Sequence, residues 1–316
     1  MKQLLIITLI LSCLSSCTKD VKIAIPGYTE ELVIDGRIET GQPPIVLLSK
    51  TKDIYSPTDL DAFLNGFISG ATVTVSDGTT TVQLDEICSD DLPPGTEAIA
   101  AELFGIPEEE LANYHICAYT TFNTAIWGQV GKTYALTVVY DGKTYTSSTQ
   151  ILQPVSLDEV FWKEEADAPG NGYSWAKLSD PGNQYDAYHW EVKRINLQSD
   201  GLPRDKNFKK TYSPVFDDEF INGTTFEFAY ENPMSWDDES VPDDLKGYYQ
   251  QGDSVVIKFS KLDRNVYEFL EKKILQLQTN GNPFASPTSI PTNIQGGALG
   301  IWAGYSPAYD TLYCVP

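Results

Sequence analysis

Short runs in which apolar and polar residues alternate dominate the first half of the chain, a pattern typical of half-buried β-strands. The clearest run places four apolar residues on one strand face, namely Tyr134, Leu136, Val138 and Tyr140. Asp141-Gly142 then has the composition of a type I′ turn, and Lys143–Thr146 returns as the partner strand. A second hairpin is predicted from residues 71–75 and 81–84, with a type I′ turn at Asp77-Gly78.

Two further strands are predicted, at residues 32–38 and 44–49. Because these strands pair without intervening helices, the pattern predicts an Ig-like, Greek-key β-sandwich over residues 30–152. Residues 85–119 interrupt it with a Pro-rich, acidic insertion that contains a short helix at 107–112. Lys and Arg are absent from Asp53 through Gly131, and we interpret this acidity as a solvated surface rather than a cation site.

The second half of the chain repeats the strand pattern after Gln153-Pro154, which we take as the start of a second β-rich domain over residues 153–316. Strands are predicted there at 157–162, 173–178, 188–195, 211–215, 226–230 and 254–259, with a strand-like segment at 298–304. Asn222-Gly223 has the composition of another hairpin turn.

One amphipathic helix is predicted over residues 261–279 of this second domain. Its apolar residues recur at helical spacing: Leu262, Val266, Phe269, Leu270, Ile274 and Leu277. Ser260 and Asp263 form a capping pair at its start, and Asn280-Gly281 ends it. We expect the apolar stripe to pack on the sheet, and a partner-binding helix is the alternative. The predicted fold class is therefore mainly β, a β-sandwich plus a second β-rich domain with one helix.

The first 16 residues have the features of a secretory signal peptide, with Lys2 ahead of an apolar stretch at residues 4–11. That stretch is too short to cross a bilayer as a helix, which takes ~20 residues. Leu14-Ser15-Ser16-Cys17 resembles the bacterial lipobox, which predicts that Cys17 carries acyl chains such as palmitate. Residues 17–29 then form a lipid-anchored tether. The alternatives are an ordinary signal peptide with a chance cysteine and an N-terminal membrane helix.

The net charge limits the classes of partner that the protein can bind. The chain has 44 Asp and Glu residues and 22 Lys and Arg residues, for a formal net charge of −22. Such a surface repels phosphate backbones, so nucleic acid is excluded as a partner. No later window offers ~18 consecutive apolar residues, so we expect the rest of the chain to be water-soluble and tethered. The only histidines are His115 and His189, and neither lies in a catalytic triad motif. His189 belongs to an alternating strand and is expected on the sheet surface.

Acidic residues are densest between residues 217 and 244, where ten of them occur with no Lys or Arg. Ca²⁺ prefers oxygen-rich loops of this kind, and the candidate ligands are Asp217, Asp218 and Glu219. The spacing of an EF-hand is absent, and solvation of an exported surface explains the run equally well. We therefore predict no resident metal or other cofactor.

Three cysteines remain beyond the signal peptide and the anchor: Cys88, Cys117 and Cys314. Cys88 and Cys117 flank the acidic insertion, and a disulfide between them would close it in an oxidising compartment. The spacing alone leaves this pairing open. Cys314 is then left over as a buried free thiol. A zinc site built from these cysteines and His115 is disfavoured, because no C-x-x-C spacing is present.

Four blocks of the sequence together resemble one protein family. Three of them are residues 32–36, 70–78 and 131–138, and the most specific joins 282–287, 291–294 and 297–300. The family is a group of Bacteroidota lipoproteins that carry a domain of unknown function and whose genes often lie beside TonB-dependent outer-membrane receptors. The resemblance implies an outer-membrane lipoprotein that is accessory to a transporter, and it supplies no catalytic residues.

We therefore expect a lipid-anchored, non-enzymatic binding protein of the outer membrane that partners a TonB-dependent receptor. Thr18-Lys19-Asp20 resembles a partial surface-export signal and favours the cell surface over the periplasmic face. One alternative is a free-standing glycan or peptide binder or adhesin, in which Trp162 and Trp236 are candidates for stacking on sugar rings. A hydrolase whose carboxylate pair is hidden in the acidic background is the remaining alternative.

Overall fold

The computed structural model describes residues 29–51, 64, 66–104, 106–199, 201–279 and 289–315. Sixteen β-strands and two α-helices lie wholly within these residues, so the fold is mainly β, as predicted. The signal peptide, Cys17 and residues 281–288 of the Pro-rich block lie outside the described residues.

The first eight strands form a sandwich of two sheets. They are β1 (Leu32–Glu39), β2 (Ile45–Lys50), β3 (Thr72–Ser76), β4 (Thr81–Gln83), β5 (Asp85–Cys88), β6 (Cys117–Thr120), β7 (Thr133–Tyr140) and β8 (Lys143–Gln150). One sheet has the order β1-β2-β6-β5 and the other β4-β3-β7-β8. With the strands lettered in chain order, these are the A-B-E-D and C′-C-F-G sheets of an immunoglobulin domain. Apolar residues of both sheets form the first core, including Ile34, Val46, Val73 and Leu136.

The two predicted hairpins of this sandwich have different turns. Tyr140 pairs with Lys143, and Asp141 and Gly142 have φ values of 48° and 70°, which confirms the type I′ turn. In the β3–β4 hairpin Ser76 pairs with Thr81, which leaves a four-residue loop, so the type I′ prediction at Asp77-Gly78 is wrong. The Asp77 carboxylate instead accepts hydrogen bonds from the backbone N–H groups of Thr79 and Thr80. It also contacts the ammonium group of Lys132, which directly precedes β7.

The acidic insertion folds on the outer face of the β2-β6-β5 edge. It contains helix α1 (Glu97–Phe104) and a 3₁₀ helix at Glu108–Asn113, the second of which corresponds to the helix predicted at 107–112. α1 was not predicted. A small apolar core fixes the insertion to the sheet, and its buried members are Leu64, Ala100, Phe104, Ile106, Leu111, Ile116 and Ala118.

The other eight strands build a second sandwich. They are β9 (Glu159–Glu165), β10 (Ala168–Ser179), β11 (Ala187–Arg194), β12 (Lys209–Asp217), β13 (Thr225–Tyr230), β14 (Tyr249–Gln250), β15 (Ser254–Leu262) and β16 (Leu299–Tyr313). β10 pairs with β9, β13 and β14, and this sheet packs on β12-β11-β15-β16. The hairpin predicted around Asn222-Gly223 is wrong, because β12 and β13 pair with strands of different sheets and the turn joins one sheet to the other.

Helix α2 (Arg264–Thr279) covers the opposite face of the second sandwich's larger sheet. The predicted start at residue 261 is wrong by three residues, because Ser260 still belongs to β15 and Asp263 alone caps the helix. The Asp263 Oδ1 atom accepts the N–H of Val266 at 2.9 Å. The first part of the predicted apolar stripe packs on the sheet, where Val266, Phe269 and Leu270 lie against β11, β15 and β16, whereas Leu277 near the end of the helix is 66% exposed.

Strand β16 joins the two sandwiches. It pairs in parallel with β1 on one side and antiparallel with β15 on the other. Four strands of each sandwich therefore form one eight-stranded sheet, in the order β12-β11-β15-β16-β1-β2-β6-β5. The boundary predicted at residues 152 and 153 falls between β8 and β9, and β16 brings the end of the chain back to the beginning across it.

Trp302 of β16 fills the first core from the second half of the chain. Its ring lies over Gly36, where a Cβ atom would be only 2.7 Å from Trp302 Cε3. The indole N–H donates to the Tyr134 carbonyl at 2.9 Å. Asn293 accepts the backbone N–H of Trp302 and donates to its carbonyl, at 2.9 and 2.8 Å. The described part of the Pro-rich block is therefore a structural support for this tryptophan.

We predict that Gly36→Ala lowers the free energy of unfolding by about 1–3 kcal/mol, because the added methyl group must displace a fully buried indole. Urea unfolding followed by fluorescence measures the change. Arg37→Ala is the matched control, since the neighbouring side chain is exposed on the other sheet face and its loss is expected to cost under ~0.5 kcal/mol. Equal unfolding midpoints for the two variants would contradict the role given to Trp302.

Candidate functional site

Three aspartates meet at one end of the second sandwich. Asp180 directly follows β10, Asp186 directly precedes β11 and Asp218 directly follows β12, so the ends of three strands bring them together. Each carboxylate contributes an oxygen, and these oxygens all lie within 4.8 Å of one another. The three residues are 6%, 0% and 2% exposed. We call Asp180, Asp186 and Asp218 the aspartate cluster.

The three aspartates differ in the hydrogen-bond and ion-pair partners of their carboxylates. Asp180 accepts hydrogen bonds from the Tyr188 hydroxyl at 2.6 Å and from the Gly223 N–H at 3.0 Å. Asp186 contacts the buried ammonium group of Lys261 and accepts from the Gln184 side-chain amide at 3.0 Å. The Oδ2 atom of Asp218 is buried and has no hydrogen-bond partner among the described residues.

The electrostatics of the cluster act against a third negative charge. Burial raises the pKa of Asp218, and the neighbouring carboxylates of Asp180 and Asp186 raise it further. The pKa of the Tyr188 hydroxyl also rises well above its ordinary value, because the ring is buried and the hydroxyl donates to Asp180. Tyr188 therefore keeps its proton and donates a hydrogen bond. Asp218 is the carboxylate of the cluster that has an oxygen without a partner among the described residues.

An open cleft of about 540 Å³ adjoins the cluster and is lined by Asp217, Asp218, Glu219 and Arg264, among others. Arg264 lies over the ring of Tyr185 at 3.7 Å from its centroid. The three predicted Ca²⁺ candidates are thus brought to one place, but Asp217 and Glu219 line the cleft and only Asp218 belongs to the buried group. Sequence reasoning missed the other two aspartates because they lie more than 30 residues away in the chain with no motif around them.

Two loops that enclose the cluster are bound to each other through Asn222. Its side-chain amide donates to the Gln184 carbonyl at 2.9 Å, and its Oδ1 atom accepts the Asn183 N–H at 3.2 Å. Gly182 and Gly223 pack backbone against backbone beside it, at a distance where a Cβ atom on Gly223 would lie 3.2 Å from the Gly182 Cα atom. The loop after β10 and the loop after β12 therefore hold their positions by direct contact.

The cysteines form a separate structural feature. Cys88 and Cys117 are directly opposite each other on β5 and β6 and are joined by a disulfide, so the ends of the insertion are tied together. His115 lies close to both sulfurs, but these are bonded to each other and His115 contacts Asp90 at 2.9 Å on the surface. Cys314 is free and buried, and burial raises the pKa of its thiol to about 12.

His189 is buried rather than on the sheet surface, so that prediction is wrong. Burial lowers its pKa to about 4, an effect that Glu191 opposes and that Lys210 and Lys258 reinforce. The Nδ1 atom lies 3.5 Å from Glu191 Oε2, without hydrogen-bond geometry. The side chain contacts the ring of Tyr305 on β16, on the face of the larger sheet that α2 covers.

An exposed aromatic pair lies on another face of the second sandwich. Trp236 is 58% exposed and Tyr212 is 69% exposed, whereas Trp162 is only 8% exposed and belongs to the core. Glu231 contacts the backbone of Tyr212 and lies near Trp236. Its Oε1 atom accepts the Tyr212 N–H at 2.8 Å, and its Cβ atom and Trp236 Cζ2 both border the space beside Gly247. Of the two tryptophans proposed for sugar stacking, only Trp236 is accessible.

We predict that acid destabilises the protein through His189. Its folded-state pKa of about 4 lies below the ordinary 6.5, so the unfolded chain takes up the proton first and stability falls as the pH drops from about 6.5 to about 4. Between pH 7 and pH 4.5 this contributes a loss of about 2–3 kcal/mol. Urea unfolding of wild type and His189→Gln at both pH values measures it, because the variant lacks this loss. His115→Gln, on the surface, keeps the wild-type acid sensitivity; a His189→Gln variant with unchanged sensitivity would contradict the assignment.

Comparison with known proteins gives a family and no individual relative. No curated protein matches the chain. A family model described as "Domain of unknown function (DUF4249)" matches residues 18–310, a span that includes both sandwiches, the aspartate cluster and the Pro-rich block. The chain therefore belongs to this family of proteins with a domain of unknown function.

Proposed function

We propose that the protein is a lipoprotein of the outer membrane that acts by binding, without catalysis, as an accessory to a TonB-dependent transporter. The observation that carries this proposal is the N-terminal sequence, in which Lys2 and an apolar stretch precede Leu14-Ser15-Ser16-Cys17. The acyl chains on Cys17 contribute ~0.8 kcal/mol per buried CH₂ group, and two or more chains hold a protein stably at a membrane.

The position of the first strand supports this arrangement. β1 begins at Leu32, about fifteen residues after Cys17, and an extended chain of that length reaches about 50 Å. The folded body then has room to approach a membrane-embedded partner while its anchor stays in the lipid. Within the described residues, neither α-helix combines the length and the apolar character that a membrane crossing requires.

Confinement and charge together account for how such a protein acts. An anchor that holds the body beside the membrane raises its effective concentration near any partner in the same plane, as a linker does. The net charge of −22 favours a partner surface that is basic, and such complementarity acts mainly on the rate of encounter. A weak protein–protein contact is then sufficient for a lasting complex at the membrane. Thr18-Lys19-Asp20 favours the cell surface as the place where this happens.

We predict that native protein carries acyl chains on Cys17 and that Cys17→Ser releases the folded body from the membrane fraction. Intact-mass spectrometry of protein purified from its own membrane measures the modification. Cys13→Ser is the matched control, because it replaces a cysteine of the predicted signal peptide and leaves Leu14–Cys17 intact. An unmodified thiol at Cys17 would refute the anchor.

The role as an accessory protein is tested in the same preparations. Pull-down of the wild-type protein from detergent-solubilised outer membranes should recover a TonB-dependent receptor in roughly stoichiometric amount. Recovery of acylated protein with no receptor, under conditions that preserve known receptor complexes, would leave the anchor intact and refute the partnership.

A second candidate function, glycan binding at the surface, is favoured by the exposed aromatic pair. Sugar rings stack on exposed tryptophan and tyrosine faces, and Glu231 near Trp236 has a second carboxylate oxygen, Oε2, that can accept a hydrogen bond. This arrangement does not require the transporter, and it is compatible with the same lipid anchor.

We predict that Trp236→Ala weakens any glycan binding by about 2- to 13-fold, as loss of an interaction worth about 0.5–1.5 kcal/mol requires. A glycan array followed by calorimetry on the best hit measures the change. Phe220→Ala is the control, since this ring is 90% exposed on a different loop. An array with no hits, or equal loss in the two variants, would dismiss this second function.

A further inference from the structure

We propose that the aspartate cluster is a binding site for one divalent cation, with Ca²⁺ as the ion that fits it best. The ligands assigned to the ion are the carboxylates of Asp180, Asp186 and Asp218. This site is independent of the lipid anchor and of any transporter, so it stands whether or not the proposed function holds.

The spacing of the oxygens matches a single ion. Carboxylate oxygens from the three residues lie within 4.8 Å of one another. Ca²⁺ binds oxygen ligands at 2.3–2.6 Å, so two oxygens on opposite sides of one ion are about 4.8 Å apart. The separations therefore fall within the range that one Ca²⁺ ion in contact with all three carboxylates requires.

The charges of the cluster call for a cation. Three carboxylates lie next to one buried ammonium group, that of Lys261, which contacts Asp186. Asp218 is 2% exposed, yet its Oδ2 atom has no hydrogen-bond partner among the described residues. A buried carboxylate without a partner is costly unless it is protonated or bound to a metal ion. A divalent ion removes the excess charge and gives this oxygen a ligand.

The surroundings of the cluster leave room for water molecules to complete the coordination of the ion. Ca²⁺ takes six to eight oxygen ligands, and water supplies those that the protein does not. Asp218 also lines the open cleft of about 540 Å³, so the buried cluster lies directly beside a solvent-filled space. Arg264 and Lys261 are the cationic groups that lie near the cleft and the cluster, and Arg264 is held over the ring of Tyr185.

A cation at this place would connect the two sheets of the second sandwich. Asp180 follows β10 of the smaller sheet, whereas Asp186 and Asp218 flank β11 and β12 of the larger one. The ion would thus add a crosslink to the contact that Asn222 already makes between the two loops. Loop ordering, and with it thermal stability, should depend on the ion.

The test uses the full-length protein in detergent, freed of metal with EDTA. Calorimetric titration with CaCl₂ is expected to show one equivalent bound, and Ca²⁺ at ~100 times Kd should raise Tm by about 5 °C. Asp218→Asn is expected to weaken binding at least tenfold. Asp217→Asn is the matched control, because the adjacent carboxylate lies in the cleft outside the buried group, and its binding should stay within about twofold of wild type.

A second measurement covers the case in which Asp218→Asn does not fold. Tb³⁺ luminescence excited through tyrosine needs only the wild-type protein, and Tyr188 donates to Asp180 beside the expected ion. One saturable Tb³⁺ signal that Ca²⁺ displaces supports the site. Absence of both the binding heat and this signal overturns the proposal and leaves Asp218 as a protonated carboxyl group. Equal loss of affinity in the Asp217→Asn and Asp218→Asn variants overturns the assignment to the buried cluster.

Discussion

The parallel pairing of β16 with β1 is the interaction on which the rest of the structure depends. It converts two sandwiches into one body with a shared eight-stranded sheet, and it places Trp302 from the second half of the chain into the core of the first. Since Gly36 has no side chain, the indole lies flat on β1 and its N–H reaches Tyr134, 168 residues away. The first half therefore has no complete core without residues of the second.

The same continuity determines where polar groups are buried. A sheet covered on both faces has little access to water, and the charged residues that lie on it must find partners within the protein. Lys258 does so between Glu39 and Glu191, and it thereby connects β15 with strands on either side. His189 meets the same constraint by remaining neutral. The aspartate cluster meets it only in part, which is why Asp218 is the group that points to a ligand.

Features set by local sequence could mostly be predicted, with the Asp77-Gly78 turn as an exception, and features set by distant contacts could not. The Asp141-Gly142 turn follows from two residues and their neighbours, and six strands of the first sandwich follow from alternation over a few positions. β5 and β6 were missed, because they lie at the two ends of the predicted insertion at 85–119. The wrong prediction at Asn222-Gly223 has the opposite cause, because a turn composition does not show whether the flanking strands pair with each other. α2 began late for a similar reason: the β15 strand, held by pairing on both sides, extends through the first predicted helical residues.

The candidate site shows the same division. Asp217, Asp218 and Glu219 were predicted as Ca²⁺ ligands because they are adjacent in the chain. The aspartate cluster is instead assembled from the ends of three strands, and Asp218 is its one member among those three candidates. The match over residues 18–310 confirms the domain of unknown function, whereas the Bacteroidota lipoprotein group and its association with TonB-dependent receptors stay predictions. The acylation of Cys17 and the transporter partnership stay predictions, since they concern a modification and a second protein rather than the folded chain.

Because β16 lies near the end of the chain, β1 waits for its parallel neighbour until synthesis is almost complete. A ribosome or a translocation channel delivers β1 early, and its hydrogen-bonding edge then has no neighbour until Leu299–Tyr313 emerges near the end. An unpaired edge beside a half-filled core invites association with other nascent chains. Loss of the whole of Leu299–Tyr313 would therefore leave β1 with this edge exposed and the first core without Trp302.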